Sequence, residues 1–241
     1  MTWLLLSLVL IVAHSVETTT GFGCTVIALA LGVHLYPIEE LIVVLVMIAL
    51  LQSSWLVVRG FYTIDWRLLS TRILPACAVG LPAGAYLFHD LSGRHLKVIL
   101  GIFIVIISSA ELYRLYRRQE SSRPLPPGRG TALLVLGGFF HGIFASGGPL
   151  VVYYSSRRIG EKASFRSTLS TLWLLLNTTL LVTYLIYGPL EHSHVMLTAK
   201  LLPALLVGII IGEMLHRWVN EITFRKVVQS VLLFTGVSLL T

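Results

Sequence analysis

Residues 131–156 read TALLVLGGFFHGIFASGGPLVVYYSS, and residues 3–35 read WLLLSLVLIVAHSVETTTGFGCTVIALALGVHL. Both stretches are apolar over at least the ~20 residues that a membrane-spanning helix needs. Both are also broken near the middle. Ala145-Ser146-Gly147-Gly148-Pro149 interrupts one, and Glu17-Thr18-Thr19-Thr20-Gly21-Phe22-Gly23 interrupts the other. Glycine, serine, threonine and proline together at membrane depth predict an unwound turn between two half-length helices. Lipid tolerates such a turn only where protein or a water-filled cavity lines it.

The rest of the chain agrees with a membrane setting. Of 241 residues, 56% are hydrophobic and 12% charged, against about 25% charged in a soluble domain. That balance excludes a cytosolic enzyme or a nucleic-acid-binding domain as the first reading, despite a net charge of +7. Six uninterrupted apolar segments, at 38–58, 68–88, 96–115, 167–187, 196–216 and 222–240, each read as a span. Residues 2–15 lack the basic start of a signal peptide and are expected to be retained. Cys24 and Cys77 lie in apolar runs and read as packing residues, with no CxxC pair for metal or redox chemistry. No HExxH or GxSxG motif is present, and no cofactor is expected.

One polar stretch, Arg117–Gly130, divides the chain into a first transmembrane repeat (1–116), a linker (117–130) and a second transmembrane repeat (131–241). The halves carry matching signatures in the same order and at nearly constant spacing. Pro75-x4-Gly80-x3-Gly84 answers Pro203-x4-Gly208-x3-Gly212, and Gln52 answers Asn177. Lys97-Val98-Ile99 answers Lys226-Val227-Val228, and His14 with the Gly21 turn answers His141 with the Gly148 turn. If each broken segment crossed the membrane as a kinked helix, Lys and Arg would divide evenly between the two faces. If each instead dips and returns, only Arg94, Lys97 and Lys200 fall on one face and every other basic residue on the opposite one. The positive-inside rule selects the second arrangement. The expected architecture is all-α and polytopic, with two inverted repeats. Each repeat holds a re-entrant pair plus three transmembrane helices, with both termini outside and the 117–130 linker cytoplasmic.

Inverted repeats with broken helices place a substrate site near the midplane. The second arm of each pair begins near Cys24 or at Pro149. Its first N–H groups lack intrahelical partners and carry the positive end of the helix dipole, so a small anion can bind there without a buried Lys or Arg. Pro149 suits the first helical position. Gly21, Gly23, Gly147 and Gly148 permit positive φ and close backbone approach. Phe22 belongs to the first turn, and Thr20 and Ser146 offer a cap or a hydroxyl hydrogen bond. Gln52 and Asn177 either line this site or act as interhelical glue. Glu17, His14 and His141 are ionisable at depth and are candidate proton carriers, or else neutral structural groups. Arg166 either guides anions or fixes topology, and Glu213 is expected near the cytoplasmic surface.

Several of these features together resemble the sulfite exporter TauE/SafE family. The carriers are His141–Pro149, Arg59-Gly60 followed by Asp65-Trp66-Arg67, Leu176-Asn177, and Pro203-x4-Gly208-x3-Gly212. The resemblance covers residues 15–240 and implies a role in moving small sulfur-containing anions (sulfite, sulfoacetate or other organosulfonates) across the bacterial inner membrane. The first turn departs from the glycine-richer family pattern by carrying Glu17 and three threonines. The expectation is a secondary transporter working by alternating access, with proton coupling as an added possibility. An anion channel, a carboxylate carrier or an intramembrane enzyme are the alternatives. The expected partners are a small anion and the lipid bilayer, without nucleic acid, and a homodimer stays open.

Overall fold

In a computed structural model the protein is described for residues 2–117, 125–188, 190–218 and 221–240, so half of the 117–130 linker, 118–124, lies outside the described residues. Every regular element among them is helical. The first half comprises α1 (Thr2–Thr20), α2 (Cys24–Gly32), α3 (Ile38–Gly60), α4 (Trp66–Leu68), α5 (Leu74–Asp90) and α6 (Gly93–Arg117). The second comprises α7 (Pro127–Phe144), α8 (Gly148–Ser155), α9 (Lys162–Tyr187), α10 (His192–Trp218) and α11 (Glu221–Ser238). A short π-helical stretch, Leu69–Ile73, joins α4 to α5. Asp65 starts this run by accepting the Leu68 N–H at 2.9 Å. Among the described residues six helices are long and apolar enough to cross a membrane.

Both broken segments fold back on themselves. Glu17 meets Cys24, and Gly32 at the far end of α2 lies against Leu6 of α1. In the second segment Gly137 packs on Val151, and Gly130 packs on the Tyr154 ring. Each short arm therefore runs antiparallel along its long arm. The expectation of two half-length arms holds only for the returning ones. α2 has 9 residues and α8 has 8, but α1 has 19 and α7 has 18, a rise of about 27–28 Å at 1.5 Å per residue.

The threonine run explains part of this. Thr19 Oγ1 donates to the Ser15 carbonyl at 2.7 Å and Thr20 Oγ1 to the Val16 carbonyl at 2.9 Å. Hydroxyls that bond back one turn satisfy themselves within the helix and need not unwind it. α1 therefore continues through Glu17 and the threonines, and the break is confined to Gly21–Gly23. Gly21 and Gly23 there adopt φ of +86° and +105°, values that glycine reaches at little steric cost.

The two halves interlock. The most extensive helix contacts are α5 with α7 and α1 with α10, so each long hairpin arm packs on a helix of the other half. Both contacts are parallel and lined by the paired glycines. Gly80 and Gly84 face Val135, Phe139 and Gly142, while Gly208 and Gly212 face Ile11, His14, Ser15 and Thr18. A methyl at Gly80 or Gly84 would overlap the Val135 or Phe139 carbonyl oxygen. Small residues let helix backbones approach closely where lipid supplies no hydrophobic drive. Hydroxyls add to the seam: Ser15 Oγ donates to the Gly208 carbonyl and Thr19 Oγ1 to the Gly212 carbonyl, both at 3.1 Å. Helices α3 and α9 cross the centre antiparallel, with Gly60 against Ser167 at one end and Ala49 near Trp173 and Asn177 further along. α6 and α11 are antiparallel too, Gly101 meeting Leu240 and Gly236 meeting Ile104.

Overpacking these seams costs about 1–3 kcal/mol or more. Gly80→Ala and Gly84→Ala should each lower the unfolding temperature of detergent-purified protein. Gly160→Ala, whose added methyl meets nothing within 4 Å, should leave it unchanged.

Candidate functional site

The tips of the two hairpins face each other across a cavity of about 300 Å³, counting the space at its mouth. The first hairpin contributes Glu17, Gly23 and Thr25, and the second contributes His141, Ser146 and Gly148. Helix α9 closes one side with Trp173 and Asn177, and Ala49 of α3 another. Two further spaces, both partly open to the outside, lie beside the tips around Phe22 and Pro149. Phe22 stands between the spaces: a methyl at Gly148 would meet only the Phe22 side chain, at 3.8 Å.

Local chemistry sets each tip. At the first, Gly21 N–H donates to the Glu17 carbonyl at 2.6 Å. Thr20 Oγ1 donates to the Val16 carbonyl, lies 2.9 Å from the Phe22 carbonyl, and accepts the Phe22 N–H at 3.4 Å. Thr20 therefore closes the turn and does not cap α2. That role falls to Glu17, whose Oε2 accepts the Cys24 N–H at 3.1 Å. At the second tip the left-handed residue is Ala145, at φ +50°, while Gly147 sits at φ −78°. The expectation of positive φ at Gly147 and Gly148 is corrected accordingly. Gly147 is needed for proximity, because a methyl there would overlap the Gly137 carbonyl. Ser146 Oγ is buried with no partner.

The two amides have parted company. Gln52 Oε1 bonds His14 Nδ1, while Gln52 Nε2 donates to the His14 carbonyl at 3.0 Å and to Thr18 Oγ1 at 2.8 Å. Its polar atoms are thus spent on anchoring α1 to α3, and neither Gln52 nor His14 lines the central cavity. Asn177 Oδ1 bonds His141 Nε2 at 3.2 Å, and both residues do line it. His141 Nδ1 also accepts the Gly147 N–H at 3.5 Å. Gly21 does not line the cavity and packs instead on Arg166, whose Cα would lie 3.0 Å from a methyl added there.

Two residues gain importance that their sequence context did not announce. Trp173 Nε1 donates to the Gly21 carbonyl at 3.0 Å, and its ring stacks on His141 at 5.5 Å between centroids. It thereby ties the first tip to the second. The available signal was the single tryptophan of α9, whose N–H needs a partner when buried. Arg166 donates to the Thr18 carbonyl at 3.1 Å and pairs with Glu213 at 3.2 Å. Arg166 is thus a strut between α1, α9 and α10, and Glu213 is paired rather than simply solvated. Among the described residues no group of three His, Cys, Asp or Glu is arranged to hold a metal ion.

The arrangement suits a small anion: two half-helix N-termini, a hydroxyl without a partner, an amide and an imidazole surround one space, with no Lys or Arg in its wall. Stability and site chemistry separate at Gln52 and Ser146. Gln52→Leu strips buried partners from His14 and Thr18 and should destabilise by about 1–3 kcal/mol. Ser146→Ala removes no protein hydrogen bond and should leave thermal unfolding in detergent unchanged.

The chain is 28% identical over 184 residues to the probable inner membrane transporter protein TsaS of Comamonas testosteroni, covering 75% of this chain and 74% of that protein. It is 25% identical over 232 residues to the probable sulfite/organosulfonate exporter TauE of Cupriavidus necator, covering 93% and 88%. No solved structure matches. With the Sulfite exporter TauE/SafE family matching residues 6–239, from α1 through the second hairpin to the end of α11, the chain belongs to that family of membrane transporters.

Proposed function

We propose that the protein is a secondary transporter of small sulfur-containing anions, sulfite or an organosulfonate, in the bacterial inner membrane. The anion binds between the hairpin tips, where it accepts hydrogen bonds from the α8 N-terminus, Ser146 and Asn177. The observation that carries this reading is the cavity itself, shared by one tip from each half and provided with the buried, partnerless Ser146 hydroxyl. The names of the relatives support the substrate class.

Residues 1–116 and 131–241 act as inverted repeats around this site, with both termini outside and the linker cytoplasmic. The reciprocal contacts of α1 with α10 and α5 with α7, and the antiparallel α3/α9 and α6/α11 pairs, support that relation. Alternating access then consists of rocking about the central cavity. Glu17 and His141, which line the cavity, are the proton carriers of coupled transport. His14 supports the first hairpin through Gln52.

The test is uptake into proteoliposomes of sulfite, sulfoacetate, thiosulfate and a simple carboxylate under an imposed pH gradient. Saturable flux of a sulfur anion, driven uphill by protons, is expected. Linear, high-rate conductance would assign a channel, and preference for the carboxylate would change the substrate class. Gly148→Val should abolish flux while the protein stays folded, because the added side chain enters open space beside Phe22. In intact cells, an impermeant thiol reagent should reach cysteines placed at Tyr36 and His192 but not one at Gln119, and the reverse pattern would overturn the orientation.

A further inference from the structure

Glu17 lies buried in the cavity wall, and its carboxylate accepts the N–H of Cys24, the first residue of the nine-residue α2. That N–H is one of the unpaired donors a helix start would otherwise offer to a bound anion. The first hairpin thus fills its own anion position with a negative group built into the chain. The second hairpin does not. Its α7 ends at Phe144 where α1 carries Glu17 one turn before the break, and its cap residue Gly147 has no side chain. Ser146 Oγ, buried and unpartnered, lines the same cavity. One half of the site is therefore occupied and the other half is open.

An ionised Glu17 and a bound anion would share one small space enclosed by protein and lipid, where like charges repel far more strongly than in water. We infer that Glu17 is a tethered competitor for the transported anion. As a carboxylate it holds the α2 N-terminus and keeps a second negative charge out. When a proton from solution neutralises it, the repulsion disappears, its hold on the Cys24 N–H weakens, and the anion takes the amides of both half-helices. Anion binding is then accompanied by uptake of one proton. This rests on the proposed anion site and assigns to it the group that makes occupancy depend on pH.

The other titratable groups around Glu17 are few. Cys24 of α2 lies against the Glu17 carboxyl, and His141 of α7 lines the same cavity. Arg166 of α9 sits on the Thr18 carbonyl and is paired with Glu213 of α10. His14, one turn back on α1, is turned to Gln52 of α3. His141 is thus the rival proton site, and the experiment separates the two.

Ethanesulfonate keeps a single negative charge at all relevant pH values, so any pH dependence of its binding belongs to the protein. Its dissociation constant is measured on the purified full-length protein between about pH 5.5 and 8. Wild type should weaken with rising pH, approaching about tenfold per unit once Glu17 is ionised. Glu17→Gln retains an amide oxygen for the Cys24 N–H and should bind with one affinity throughout. A wild-type slope retained in Glu17→Gln would move the proton to His141 and overturn the inference. A second measurement does not depend on any variant. In weakly buffered solution on the steep part of the curve, wild type should take up about one proton per ethanesulfonate bound, and no uptake would also overturn it. Binding to wild type that is the same at every pH removes the competitor role and leaves the anion site standing. No binding of ethanesulfonate, sulfite or sulfoacetate at any pH removes the site and the inference together.

Discussion

A peptide group buried in lipid has no water to turn to, so every unwound residue at membrane depth must find its hydrogen-bond partner within the protein. That requirement governs both hairpin tips. At the first, Gly21 N–H is taken by the Glu17 carbonyl, the Gly21 carbonyl by Trp173, the Cys24 N–H by the Glu17 carboxylate, and the Thr18 carbonyl by Arg166. At the second, the Ala145 N–H goes to the His141 carbonyl and the Gly147 N–H to the His141 ring. Trp173 and Arg166 both stand on α9, so the first tip is held open by a helix of the other half. The cavity exists because its walls are busy satisfying backbone.

The two hairpins carry unlike chemistry. His14 and His141 occupy matching places, each paired with an amide from the central helix of its own half. Gln52 has all its bonding capacity turned toward α1, and Asn177 keeps a face on the cavity. Glu17 has Phe144 for a counterpart. The three threonines that keep α1 helical have no equivalent before Ala145, which bends into the left-handed region on its own. Two helix starts thus border one cavity, and a side chain fills one of them from within.

Much of this architecture was legible in the amino-acid order. The two interruptions, the small-residue pairs at Gly80/Gly84 and Gly208/Gly212, and the matched amides marked the hairpins, the tight seams and the His anchors, because each depends on short-range chemistry that a residue type announces. What was not legible depended on direction. A threonine beside a glycine can cap or bond back, and only the continuing helix decided for bonding back. Gln52 can face a cavity or a neighbour, and the rotation of α3 settled which. Trp173 and Arg166 reach across to the first tip from positions about 150 residues away in the chain, and nothing local to them records it.

The crossing of α1 onto α10 has one more implication, for biosynthesis. α1 leaves the ribosome well before Trp173 and Arg166, which take up the Gly21 and Thr18 carbonyls at its tip. Ser15 and Thr19 wait 193 residues for Gly208 and Gly212, whose carbonyls accept their hydroxyls. Until then the first hairpin is held within its own half through the Gln52 bonds from α3. It is completed only when the second half has been made.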